Sequence, residues 1–76
     1  TKINIKIEYE KNNPEISDQL RKLCESNKGK YPLVFHMLTS QSRIQKVISK
    51  HTLVANNSDF LKKLRILFGT ANVWIS

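Results

Sequence analysis

Val54-Ala-Asn-Asn-Ser-Asp-Phe60-Leu-Lys-Lys-Leu64-Arg-Ile-Leu-Phe68-Gly69-Thr-Ala-Asn-Val73-Trp-Ile-Ser76 reads as one capped helix leading into one strand. Asn57 or Ser58 offers a side-chain oxygen to the orphan N–H groups of a first helical turn, and Asp59 suits the positive end of the helix dipole. Phe60, Leu64, Leu67 and Phe68 recur at offsets that place them on one helical face, while Lys62, Lys63 and Arg65 occupy the other. Gly69 follows the last apolar residue, where a glycine can take the left-handed conformation that closes a helix, and Val73 and Ile75 then alternate as a strand should.

Upstream, Ile3, Ile5, Ile7 and Tyr9 alternate with Lys2, Asn4, Lys6 and Glu8, the pattern of a half-buried first strand. Asn13 before Pro14 is a cap followed by proline at the first helical position, and Ile16, Leu20, Leu23 and Cys24 carry a helix to about Asn27, with Gly29 ending it. Lys30-Tyr-Pro32 is the connection, Leu33 to Leu38 a strand-forming run, and Ser40 to Ser42 a turn. Ile44, Val47 and Ile48 supply the second half of a hairpin whose register the sequence leaves open, and Thr52 to Val54 leads to the second helix. The order is βαββαβ. It predicts an α+β domain of the ferredoxin-like split arrangement, a four-stranded antiparallel sheet with two helices on one face. The expected core joins the two helix stripes to Ile3, Ile5, Ile7, Leu33, Phe35, Met37, Val73 and Ile75.

The 76 residues suit a single domain, 1–76, near the size at which one core only just offsets chain entropy. A hydrophobic fraction of 39% with no long apolar run argues against a membrane segment, Lys2, Lys6 and Glu8 interrupt any secretory leader, and a cytoplasmic location is expected. The chain begins at Thr1 and its only methionine is Met37, which points either to a processed start or to a piece of a longer polypeptide. The single cysteine, Cys24, has no internal disulfide partner and lies on the apolar stripe of the first helix. No residues show metal-ligand spacing, both glycines fall at helix ends rather than in a phosphate loop, and the six acids are scattered. No catalytic, metal or cofactor-binding residue is therefore expected, nor a small-molecule ligand. Thirteen basic against six acidic side chains give +7, a balance that favours encounters with phosphate backbones without conferring specificity.

If the core residues face the helices, Val34, His36, Leu38 and Trp74 point to the uncovered face of the sheet. An exposed tryptophan among aliphatic side chains marks a partner-binding surface, since its desolvation is recovered only when a partner covers it. His36 has no serine, cysteine or carboxylate placed by sequence to work with it as a base.

The spacing Val54-x5-Phe60-x3-Leu64-x2-Leu67-Phe68-Gly69-x3-Val73, with Leu20-Arg-Lys-Leu23 and Gly29-Lys-Tyr-Pro32 running into Leu33-Val-Phe-His-Met37, resembles the last domain of bacterial DNA polymerase III alpha subunits, the replicative polymerases. The resemblance covers roughly residues 16–75. It implies a non-catalytic C-terminal module that couples the polymerase to the tau subunit of the clamp loader, the polymerase carboxylates belonging to other domains. Weak, non-specific DNA binding is the further expectation from charge. The competing reading is a free-standing basic nucleic-acid-binding module.

Overall fold

In the computed structural model, which describes residues 1–8, 14–39 and 41–76, six elements follow in order. They are β1 (Ile3–Glu8), α1 (Pro14–Ser26), β2 (Lys28–Leu38), β3 (Ile44–Val54), α2 (Ser58–Phe68) and β4 (Val73–Ile75), with a 3-10 turn, Thr70–Asn72, before β4. Tyr9, the cap expected at Asn13 and the Ser40 position of the turn lie outside the described residues.

The helix that decides the reading forms as its sequence predicts. Asn57 is extended and its side-chain oxygen accepts from the Phe60 N–H at 2.7 Å. At the other end the Gly69 N–H donates to the Arg65 carbonyl at 2.8 Å. Gly69 has φ 102° and ψ 142°, so its φ is positive as expected, but it lies beyond the left-handed helical well, in a region open to glycine alone.

The sheet is mixed, not antiparallel, in the order β3-β2-β1-β4. β1 and β2 are direct parallel neighbours, in register from Ile3 with Leu33 to Glu8 with Leu38, while β3 and β4 run antiparallel to β2 and β1. This corrects the ferredoxin-like split arrangement, which would interleave β3 between β1 and β2. The reason lies in the two strands of the hairpin. Leu33 and Val34 point to opposite faces and both are buried, the mark of an interior strand, whereas residues 44–48 of β3 are exposed throughout and suit an edge. The broader expectation of an α+β domain with two helices holds.

Both helices contribute to one cluster: Cys24 from α1 and Phe60, Leu61 and Leu64 from α2 join Ile3, Ile5, Leu33, Val54 and Val73, with Leu20, Leu23, Phe35 and Phe68 packed around them. Leu61, Val54 and the half-buried Tyr31 add to the expected core. Ile75 leaves it, being 42% exposed, because three-residue β4 is the outer strand on its side.

β2 and β3 are longer than the apolar runs that mark them. Gly29, expected to end α1, lies inside β2. The helix stops earlier, where the Asn27 side chain donates to the Leu23 carbonyl at 2.9 Å. A Cβ on Gly29 would stand 2.6 Å from backbone atoms of Ala55 and Val54, so this glycine serves close strand approach. Pairing passes from Pro32 with Leu53 to Val34 with Ile48, leaving a bulge in β3 that Ser49 and Thr52 bridge through hydrogen bonds of 3.3 and 3.2 Å.

Candidate functional site: the uncovered sheet face

Cross-strand partners share a face, so the register assigns the surface opposite the helices. Asn4 pairs with both Val34 and Trp74, Lys6 with His36, and Glu8 with Leu38. On the far side Ile48 pairs with Val34, Lys46 with His36 and Ile44 with Leu38. All four residues expected on this face, Val34, His36, Leu38 and Trp74, are therefore on it. They differ in accessibility: Val34 is fully buried, His36 and Leu38 are half-buried, and Trp74 is 37% exposed.

The centre of the face is polar and sealed. Asn4 is only 3% exposed although it sits on the side away from the helices. Its amide nitrogen donates to the Ser76 hydroxyl at 2.9 Å and, more distantly, to the carbonyls of Trp74 and Lys2 at 3.3 and 3.4 Å. That leaves its carbonyl oxygen as the acceptor facing His36 Nε2 at 2.9 Å, so Nε2 carries a proton. The His36 and Trp74 rings meet at 4.9 Å between centroids, tilted by 34°. They belong to β2 and β4, and short Asn4 on the intervening β1 leaves room for them to meet. Reciprocal backbone hydrogen bonds between Lys2 and Ser76, of 2.7 and 2.9 Å, continue the β1–β4 pairing one residue past Ile3 and Ile75.

Two features join the site through the third strand, whose register the sequence leaves open. Ile44, 63% exposed, and Ile48 extend the apolar surface beyond Leu38 and Val34. Lys6, His36 and Lys46 form a row across three strands. Alternation places Asn4 on this face but does not reveal its burial; a short amide opposite a tryptophan is the only signal.

Chemically the arrangement is a fixed aromatic and aliphatic surface with cations across it. Among the described residues no three His, Cys, Asp or Glu side chains gather to hold a metal ion, and no helix is long and apolar enough to cross a membrane. On the helix side, a groove of about 640 Å³ lies between α1 and the β2–β3 hairpin, floored by Leu20, Cys24, Leu33 and Phe35. Burial, and secondarily the Glu25 carboxylate, push the Cys24 thiol above its ordinary range, away from the thiolate a nucleophile needs. No protein-family model matches the chain, and comparison with curated proteins likewise finds no match.

Proposed function

We propose that this chain is a non-catalytic docking module, the C-terminal part of a replicative polymerase alpha subunit of the DNA polymerase III kind, and that it binds the clamp-loader tau subunit in the cytoplasm. The observation that carries the docking role is the exposed Trp74 held against His36 over a satisfied polar centre. A rigid aromatic anchor loses little entropy when a partner covers it. The choice of partner rests on the resemblance in the spacing from Val54 to Val73.

Titration of purified tau with wild-type chain and Trp74→Ala tests both parts, circular dichroism serving as the folding control. The variant is expected to stay folded and to bind about 1 kcal/mol or more weaker. Equal affinities would retire this face as the tau site, and no binding by the wild type would retire tau as the partner.

A second reading draws on the row Lys6, His36, Lys46 beside the Trp74 ring: a surface for single-stranded nucleic acid, with the ring stacking on a base and the lysines near phosphate. It requires binding at physiological salt that Trp74→Ala reduces. Binding confined to low salt is the behaviour of a +7 chain of any fold.

A further inference from the structure

β3 is an edge strand of eleven residues, and among the described residues it pairs only with β2. Its outer side presents a row of backbone groups able to bond a further strand. The row is straight from Ile44 to Ile48, about 17 Å at strand rise, before the bulge at Ser49–Thr52 turns it away. Along that stretch Ile44 and Ile48 are exposed on the open face and Val47 on the helix face, so an added strand finds apolar neighbours on both sides.

Charge selects the occupant. From Arg43 to Val54 the chain carries Arg43, Lys46 and Lys50 and no Asp or Glu. A second copy pairing antiparallel over the whole straight stretch would centre on Lys46 and set it opposite its own copy, which is unfavourable in a cross-strand pair. A strand bearing carboxylates there meets the opposite charge. We propose that the Ile44–Ile48 edge takes up an acidic, extended peptide segment as a fifth strand, bound by main-chain hydrogen bonds with a carboxylate opposite Lys46. This site stands apart from the docking role assigned to Trp74, which lies on the opposite outer strand.

The probe is a capped eight-residue peptide of alternating valine and glutamate, followed by fluorescence anisotropy and by amide-resolved hydrogen exchange of the chain. Saturable binding is expected, with the amides of residues 44–48 gaining protection and Trp74→Ala leaving the affinity unchanged. Lys46→Glu, at an exposed position, should weaken binding about fivefold and favour the lysine counterpart of the peptide. The same peptide N-methylated at alternate residues should not bind, because it cannot form the ladder. No saturable binding at millimolar peptide overturns the proposal, as does equal binding of the N-methylated peptide, which would reduce it to charge alone. A concentration-dependent dimer with the same protected amides would also overturn it, giving the edge to a second copy.

Discussion

Gly29→Ala tests the path of the chain at its least expected point. In this fold a Cβ at Gly29 would lie 2.6 Å from the Cα and N of Ala55 and the carbonyl carbon of Val54, whereas ordinary contact begins near 3.4 Å. All three atoms are backbone, so no side chain can swing aside and the strands themselves must part. The Ala55 N–H bond to the Asn27 carbonyl, 2.7 Å long, sits at that point, and neighbouring Val54 is fully buried. Loss of the hydrogen bond costs about 1 kcal/mol and forced repacking about 1–3 kcal/mol, against about 0.4–1 kcal/mol recovered because alanine has less freedom than glycine in the unfolded chain. The net expectation is about 2 kcal/mol, within a span of about 1–3.5 kcal/mol, a large share of the ~5–10 kcal/mol available to a domain of this size. With a urea slope near 1 kcal/mol per molar, the midpoint should fall by about 2 M. Gly29→Asn separates this account from a helix-capping glycine, since asparagine is tolerated in a left-handed cap but not against a crossing backbone. A Gly29→Asn variant with the wild-type midpoint would refute the strand assignment of this residue.

Leu64→Ala and Phe60→Ala should each cost about 2–5 kcal/mol, enough to bring the chain near unfolding, because both side chains are fully buried in the cluster shared by the two helices; melting followed by circular dichroism checks this. Asn4→Ala removes a buried side chain and the acceptor of the half-buried His36 Nε2, and should destabilise by about 1–3 kcal/mol while altering Trp74 fluorescence, so an unchanged melt with an unchanged spectrum would refute the polar centre. The raised Cys24 thiol has an alkaline consequence: its contribution to stability is full below the ordinary thiol value and is lost as pH rises through the higher folded value, since the native state holds a proton that the unfolded chain gives up. Urea midpoints of wild type and Cys24→Ala across alkaline pH should show the shallower decline in the variant, and parallel declines would refute the burial of that thiol.

The sequence from Asn57 to Ile75 determined its own local structure, because a cap, a stripe at helical spacing and a terminal glycine act within one turn of the chain. The period-two alternation of Ile3, Ile5 and Ile7 and of Leu33 and Phe35 likewise assigned faces, which is why Val34, His36, Leu38 and Trp74 could be grouped before any tertiary contact was known. Alternation says nothing about which strand lies beside which. The parallel β1–β2 pairing, the place of β3 at the edge and the register that sets Ile44, Lys46 and Ile48 beside Leu38, His36 and Val34 came only from the tertiary structure. The same holds for Gly29 and Asn4. A glycine after a helix is locally ambiguous between cap and crossing point until the backbone of Ala55 is placed against it. An asparagine on a solvent-facing strand position is ordinary until a tryptophan from the far end of the chain closes over it, because burial is set by residues distant in sequence.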